Sequence, residues 1–192
     1  ETLANGCLAE QMTVNSSLSI LLDTTDEYRP VQLKLIKNLL YTRLLELEQY
    51  DHLLVYRIDK LQGGILTATI DLCKPAENQV DAPVFRKLKQ AQFEEAVQLA
   101  FELKKGGYPT SPIIESISSV ASDMSLVHKN REIIVVTDLI ENSEVISMYR
   151  ASWENEVDSN EDYLYKVQPT LDGIKVRLLM LARPQVSTQN LD

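Results

Sequence analysis

Histidine and cysteine are scarce in this chain, with two of each in 192 residues. Neither His52 nor His128 has a Cys or Ser partner at a recognisable spacing, so no nucleophile–base pair can be read from the sequence. Cationic side chains are also in short supply: 19 Lys and Arg against 28 Asp and Glu give a net charge of -9 and a pI near 4.8. Phosphate backbones are bound by clustered Lys and Arg that release counterions, so this balance argues against nucleic acid as a partner. An anionic membrane surface is disfavoured for the same reason. No apolar run approaches the roughly eighteen residues that a membrane span needs. The phosphate-cradling loops G-x-x-x-x-G-K-S/T and G-x-G-x-x-G are missing, which excludes nucleotide binding by those routes.

What is present suffices for one core. With 44% hydrophobic and 24% charged residues, the chain supports a single domain that folds without disulfide or metal staples. The expected division is an N-terminal arm over residues 1–17, the domain proper over residues 18–183 and a polar tail over residues 184–192. Cys7 and Cys73 leave two readings open: an arm stapled to a strand end in an exported protein, or two unrelated thiols. Pairing would favour an extracytoplasmic location, periplasmic or secreted; the sequence alone assigns no compartment.

Two stretches organise the rest. The apolar run Leu18–Leu22 is too short for a helix and stops at Asp23-Thr24-Thr25-Asp26-Glu27, which is how a buried strand delivers polar groups at its carboxyl end. Far downstream, Ile133-Ile134-Val135-Val136-Thr137 runs into Asp138 in the same way. Between them, apolar residues at Val31, Leu35, Ile36, Leu39, Leu40, Leu44 and Leu47 predict a helix from Val31 to Gln49 with one wide apolar face and Pro30 in its first turn. His52–Ile58 and Ile65–Leu72 read as strands. Their connection, Asp59 to Gly64, is too short for a parallel crossover, so they should pair antiparallel, with the second at the sheet edge. A loop from Cys73 to Pro83 then leads into a helix ending near Lys105. Ser111-Pro112 looks like an N-cap and first-turn proline opening another helix. The acidic stretch of residues 151–162 reads as a solvated face or loop, followed by a short helix at Tyr163–Val167 and a last strand at Ile174–Leu181. This alternation predicts an α/β fold: three layers, doubly wound, with a mainly parallel, Rossmann-like sheet and one antiparallel edge strand. Ligands of such sheets bind beyond the carboxyl ends of the strands, where Asp23 and Asp138 should share a crevice that Ser111 reaches from the loop before its helix.

These residues resemble a known family. Asp23-Thr24-Thr25-Asp26-Glu27 is similar to the D-x-S/T-x-S opening of the metal-ion-dependent adhesion site in von Willebrand factor A (vWA) domains. Thr110-Ser111-Pro112-Ile113-Ile114-Glu115-Ser116 is similar to the family's T-P-x-x-E-A loop, and Val136-Thr137-Asp138 to its closing strand and Asp. The resemblance runs from about Leu18 to Leu181, so the domain of residues 18–183 is expected to be vWA-like. It implies a five- or six-stranded sheet in the order 3-2-1-4-5 and a divalent ion, Mg2+ or else Mn2+ or Ca2+, held by Asp23, Thr25, Ser111 and Asp138 directly or through water. Glu27 stands where the family has Ser, and two readings of it stay open: a further carboxylate that neutralises the ion, or a helix-capping acid that points outward. The function implied is a non-enzymatic protein–protein interaction, with the ion accepting a carboxylate from the partner. An alternative is a metal-dependent phosphohydrolase or nuclease built on Asp23, Asp26, Glu27 and Asp138. The acidic surface argues against it, and the phosphatase pattern D-x-D-x-T fails because Thr25 stands where the second Asp would.

Overall fold

The computed structural model describes residues 3–8, 16–25, 28–58, 61, 64–75, 91, 110–124, 129–150 and 153–181. Asp26, Glu27, the helix expected to end near Lys105 and the tail from residue 184 lie outside them. The elements in chain order are β1 (Ser16–Asp23), α1 (Pro30–Leu45), β2 (His52–Ile58), β3 (Ala68–Cys73), α2 (Ile113–Asp123), β4 (Asn130–Thr137), α3 (Trp153–Ser159), α4 (Glu161–Val167) and β5 (Ile174–Met180). The strands form one sheet in the order β3-β2-β1-β4-β5. β1 pairs in parallel with β2 and β4, and β5 in parallel with β4, whereas β3 runs antiparallel on the edge of β2. The mainly parallel architecture and its antiparallel edge are those expected from the sequence.

Helices cover both faces. Leu18, Ile20 and Leu22 of β1 pack with Ile134 and Val136 of β4 against Ile36, Leu40 and Leu44 of α1. Leu21 shares the opposite face with Ile133 and Val135, against Ile113, Val120 and Ala121 of α2. A strand enclosed on both sides has no solvent face to mark with polar residues, which is why Leu18–Leu22 carries only Ser19 among apolar neighbours.

α1 departs from its expected single wide face. Pro30 does occupy the first turn, and the Arg29 N–H donates to Gln32 Oε1 at 2.9 Å. Only Ile36, Leu40 and Leu44 are buried along it, however, and Val31, Leu35 and Leu39 are exposed. At about 3.6 residues per turn, positions nine apart fall on opposite sides of a helix, so Val31 opposes Leu40 and Leu35 opposes Leu44. The helix carries two apolar stripes, of which the sheet takes one. Within the acidic stretch, Trp153–Ser159 form α3, which has no buried residue, as a solvated face requires.

The arm is stapled. Cys7 and Cys73 form a disulfide with their Cα atoms 4.9 Å apart, and the Cys73 N–H donates to Asn5 O at 3.0 Å. Gly6, at φ +82°, makes this approach possible, because a Cβ there would lie 3.2 Å from the Cys73 carbonyl oxygen. Among the described residues no helix is long and apolar enough to cross a membrane.

Candidate functional site

β1 and β4 end side by side, and their last inward-facing residues meet. Leu22 pairs with Val136, which brings Asp23 level with Thr137. Asp23 is buried, and its carboxylate is the acceptor at the centre of a cluster. Oδ2 receives the hydroxyls of Ser111 at 2.9 Å and Thr137 at 2.8 Å. Oδ1 receives the Thr25 hydroxyl at 2.7 Å and the Thr25 N–H at 3.2 Å. Hydroxyls from three chain segments that are distant in sequence thus converge on one carboxylate.

Ser111 is positioned by backbone pairing. Its N–H donates to Asn142 O at 2.8 Å and its carbonyl accepts from the Asn142 N–H at 3.0 Å. Asn142 is held in turn by Ser147, whose hydroxyl donates to Asn142 Oδ1 at 2.8 Å. Ser111 does not cap α2 as its place before Pro112 suggested: Pro112 occupies the cap, and the Ser111 hydroxyl is spent on Asp23. A carboxylate serves the helix start instead. Glu141 is buried and its Oε2 accepts the Ile114 N–H at 3.0 Å. Burial pushes the Glu141 carboxyl up to about 7, opposed by the Ile114 and Ile113 amides and the Ser143 hydroxyl and aided by the charge of Glu115. Burial, and then the charge of Glu144, also raises Glu115, which accepts a hydrogen bond from the Tyr163 hydroxyl.

Asp138 follows Thr137 just beyond the end of β4, half-buried, where its Oδ1 accepts the Ile140 N–H at 2.9 Å. Between them Leu139 adopts φ +64°, a left-handed conformation that a branched side chain takes only when its surroundings enforce it. The Leu139 N–H donates to Thr137 Oγ1 at 3.1 Å, which ties this strained turn to the hydroxyl that serves Asp23.

Of the residues singled out in the sequence, Asp23, Thr25 and Ser111 are joined directly, Asp138 stands at the same end of the sheet, and Glu27 lies outside the described residues. Thr137, Glu141 and Asn142 were missed. The signal for Thr137 was available: side chains alternate along a strand, so Thr137 shares the α2 face with Val135 just as Asp23 shares it with Leu21. Glu141 and Asn142 sit in an irregular loop where no periodicity marks direction.

Fold and site together define a three-layer α/β domain with a buried cluster of hydroxyls around one carboxylate at the carboxyl ends of its central parallel strands. No protein-family model matches the chain, and no curated protein matches it. Among solved structures it is similar to an aerotolerance-related membrane protein from Bacteroides fragilis NCTC 9343 with multiple mutations to serines, at 17% identity and a TM-score of 0.46, over 92% of this chain and 75% of that one.

Proposed function

We propose that this chain is a non-enzymatic protein-interaction domain of the vWA type, which holds a divalent cation beyond the ends of β1 and β4 and through it a carboxylate of a partner protein. The observation that carries this reading is the convergence of the Thr25, Ser111 and Thr137 hydroxyls on Asp23. A hydroxyl whose proton is committed to a carboxylate has only lone pairs left to offer, and an array of such oxygens is a donor set for a hard cation. Thr25, Ser111, Asp23 and Asp138 would hold the ion, directly or through water. Mg2+ suits the site because it keeps several of its waters, and Mn2+ or Ca2+ would use the same oxygens. The bound ion supplies a Lewis-acidic position for the partner's carboxylate; the chain's own residues orient the ligands and bury the charge beneath them. Among the described residues the donors to Asp23 are hydroxyls and an amide, not the cations that would neutralise a phosphoryl group, which favours adhesion over hydrolysis. The Cys7–Cys73 disulfide favours an oxidising, extracytoplasmic compartment.

Calorimetric titration of Mg2+ and Mn2+ into metal-free protein tests the site. Saturable binding that is lost in Asp138→Ala and Ser111→Ala is the expected result, and no binding at millimolar metal would remove the ion from the proposal. Mn2+-dependent hydrolysis of a generic phosphoester, abolished by Asp23→Ala, would replace it with the hydrolase reading.

A further inference from the structure

At the opposite end of the sheet a second group of ligand-type side chains converges. His52 opens β2 and Cys73 closes β3, and the two are directly paired across the antiparallel ladder. The arm adds Cys7. The two sulfurs and a ring nitrogen of His52 all lie within 4.8 Å of one another. Around a tetrahedral zinc ion, with Zn–S near 2.3 Å and Zn–N near 2.0–2.1 Å, ligand atoms stand roughly 3.5–3.8 Å apart, so the two bonded sulfurs would have to separate on reduction and the imidazole to draw in for the triangle to seat one. Much of the preorganisation does not depend on the S–S bond. The ladder fixes His52 against Cys73, and the arm is held by the Cys73 N–H bond to Asn5 O and by Asn5 Nδ2, which donates to Asp71 Oδ1 at 2.9 Å. The same Asp71 oxygen lies 2.8 Å from His52 Nε2. A carboxylate paired with a histidine is the arrangement that orients imidazole ligands in zinc sites.

We propose that reduction of the Cys7–Cys73 disulfide converts this corner into a Zn2+ site of two thiolates and one imidazole, so that disulfide and metal are alternative staples for the arm. A dithiol reductant supplies two electrons and two protons and is itself oxidised to a disulfide, leaving Cys7 and Cys73 as thiols. Zn2+ then displaces both thiol protons as two S–Zn bonds and one N–Zn bond form, and water completes the tetrahedron. Thiolate and imidazole select Zn2+ over Mg2+, so this site and the oxygen site proposed around Asp23 do not compete for the same ion.

The test is titration of the full chain, reduced with a phosphine and desalted, with Co2+ as a visible stand-in for Zn2+. The reduced protein should bind one equivalent with a thiolate-to-cobalt charge-transfer band and tetrahedral ligand-field bands, and Zn2+ should displace it. The oxidised protein and Cys7→Ser should lack these signals, and Co2+ bound by oxygen ligands around Asp23 would produce no thiolate band. Asp71→Asn should keep the spectrum but weaken binding ~10–100-fold, and His52→Ala should weaken it further and alter the ligand-field bands. Absence of the charge-transfer band in the reduced wild type, or His52→Ala binding with unchanged affinity and spectrum, overturns the proposal. Far-UV circular dichroism accompanies each titration: if reduction unfolds the chain, Zn2+ should restore the spectrum, and a chain that stays unfolded with Zn2+ also overturns it.

Discussion

Glu141 retains its proton almost to neutrality because its carboxyl is enclosed at the start of α2, and that has a definite sign in stability. Its folded value of about 7 lies above the ordinary 4.5, so between these pH values the folded state holds a proton that the unfolded chain has shed. Stability contributed by this group is therefore complete below pH 4.5 and is lost as pH rises through 7, by about 3 kcal/mol in all at ~1.36 kcal/mol per pH unit. Glu141→Gln keeps an oxygen for the Ile114 N–H and removes the titration. Urea denaturation of metal-free protein across this window should show the wild type losing stability relative to the variant as pH rises, and parallel profiles would refute the assignment. Thr137→Val keeps the shape but deprives Asp23 of a buried donor. A hydrogen bond to a charged group typically contributes ~1.5–3 kcal/mol, and equilibrium denaturation should show a loss of that size. At this scale the sequence was only half legible. Asp23, Thr25 and Ser111 announced themselves by residue type and order, but residue type also pointed to Asp138, and not Thr137, as the partner of Asp23. Strand alternation aims Thr137 at Asp23, whereas Asp138 has already left the strand and accepts a hydrogen bond from Ile140.

Among the elements, the buried strands read most clearly, because a segment covered on both faces leaves an apolar run whose ends are its polar termini. α1 read less well. Its periodicity is the same for both stripes, and nothing in the pattern states which one the sheet takes; that choice is made by the packing of Ile36, Leu40 and Leu44 into the core with Leu18, Ile20 and Leu22. The two stripes should respond differently to truncation. Leu40→Ala, at a fully buried position, should cost ~2–5 kcal/mol, and Leu35→Ala on the outer stripe should stay within about 0.5 kcal/mol of the wild type. Thermal and chemical denaturation of the pair measures the contrast. Equal losses would mean that the outer stripe is also covered.

For the whole molecule, the parallel character of the sheet followed from alternating strands and helices, and its antiparallel edge from the short connection between β2 and β3. Strand order does not follow from periodicity; only the family resemblance suggested 3-2-1-4-5, the order that the sheet has. The disulfide was undecidable in advance, because two cysteines 66 positions apart say nothing about distance until β3 and the arm are placed. Closing a loop of that length restricts the unfolded chain, and reduction should lower stability by roughly 4 kcal/mol, read as a drop in Tm in the presence of a chelator. An unchanged Tm would mean that the hydrogen bonds of Asn5 already hold the arm.

The central position of β1 has a consequence for how the chain is made. Its second neighbour begins at Asn130, which pairs with Ser16, so during synthesis the first strand waits with one flank uncovered until the more than one hundred residues leading to β4 have emerged. Asp23 and Thr137, 114 positions apart, meet only then. No truncated or nascent chain that stops before β4 can assemble the cluster around Asp23, and the cation proposed for it would act by mass action on the finished sheet alone, pulling folding towards completion in whatever compartment supplies the ion.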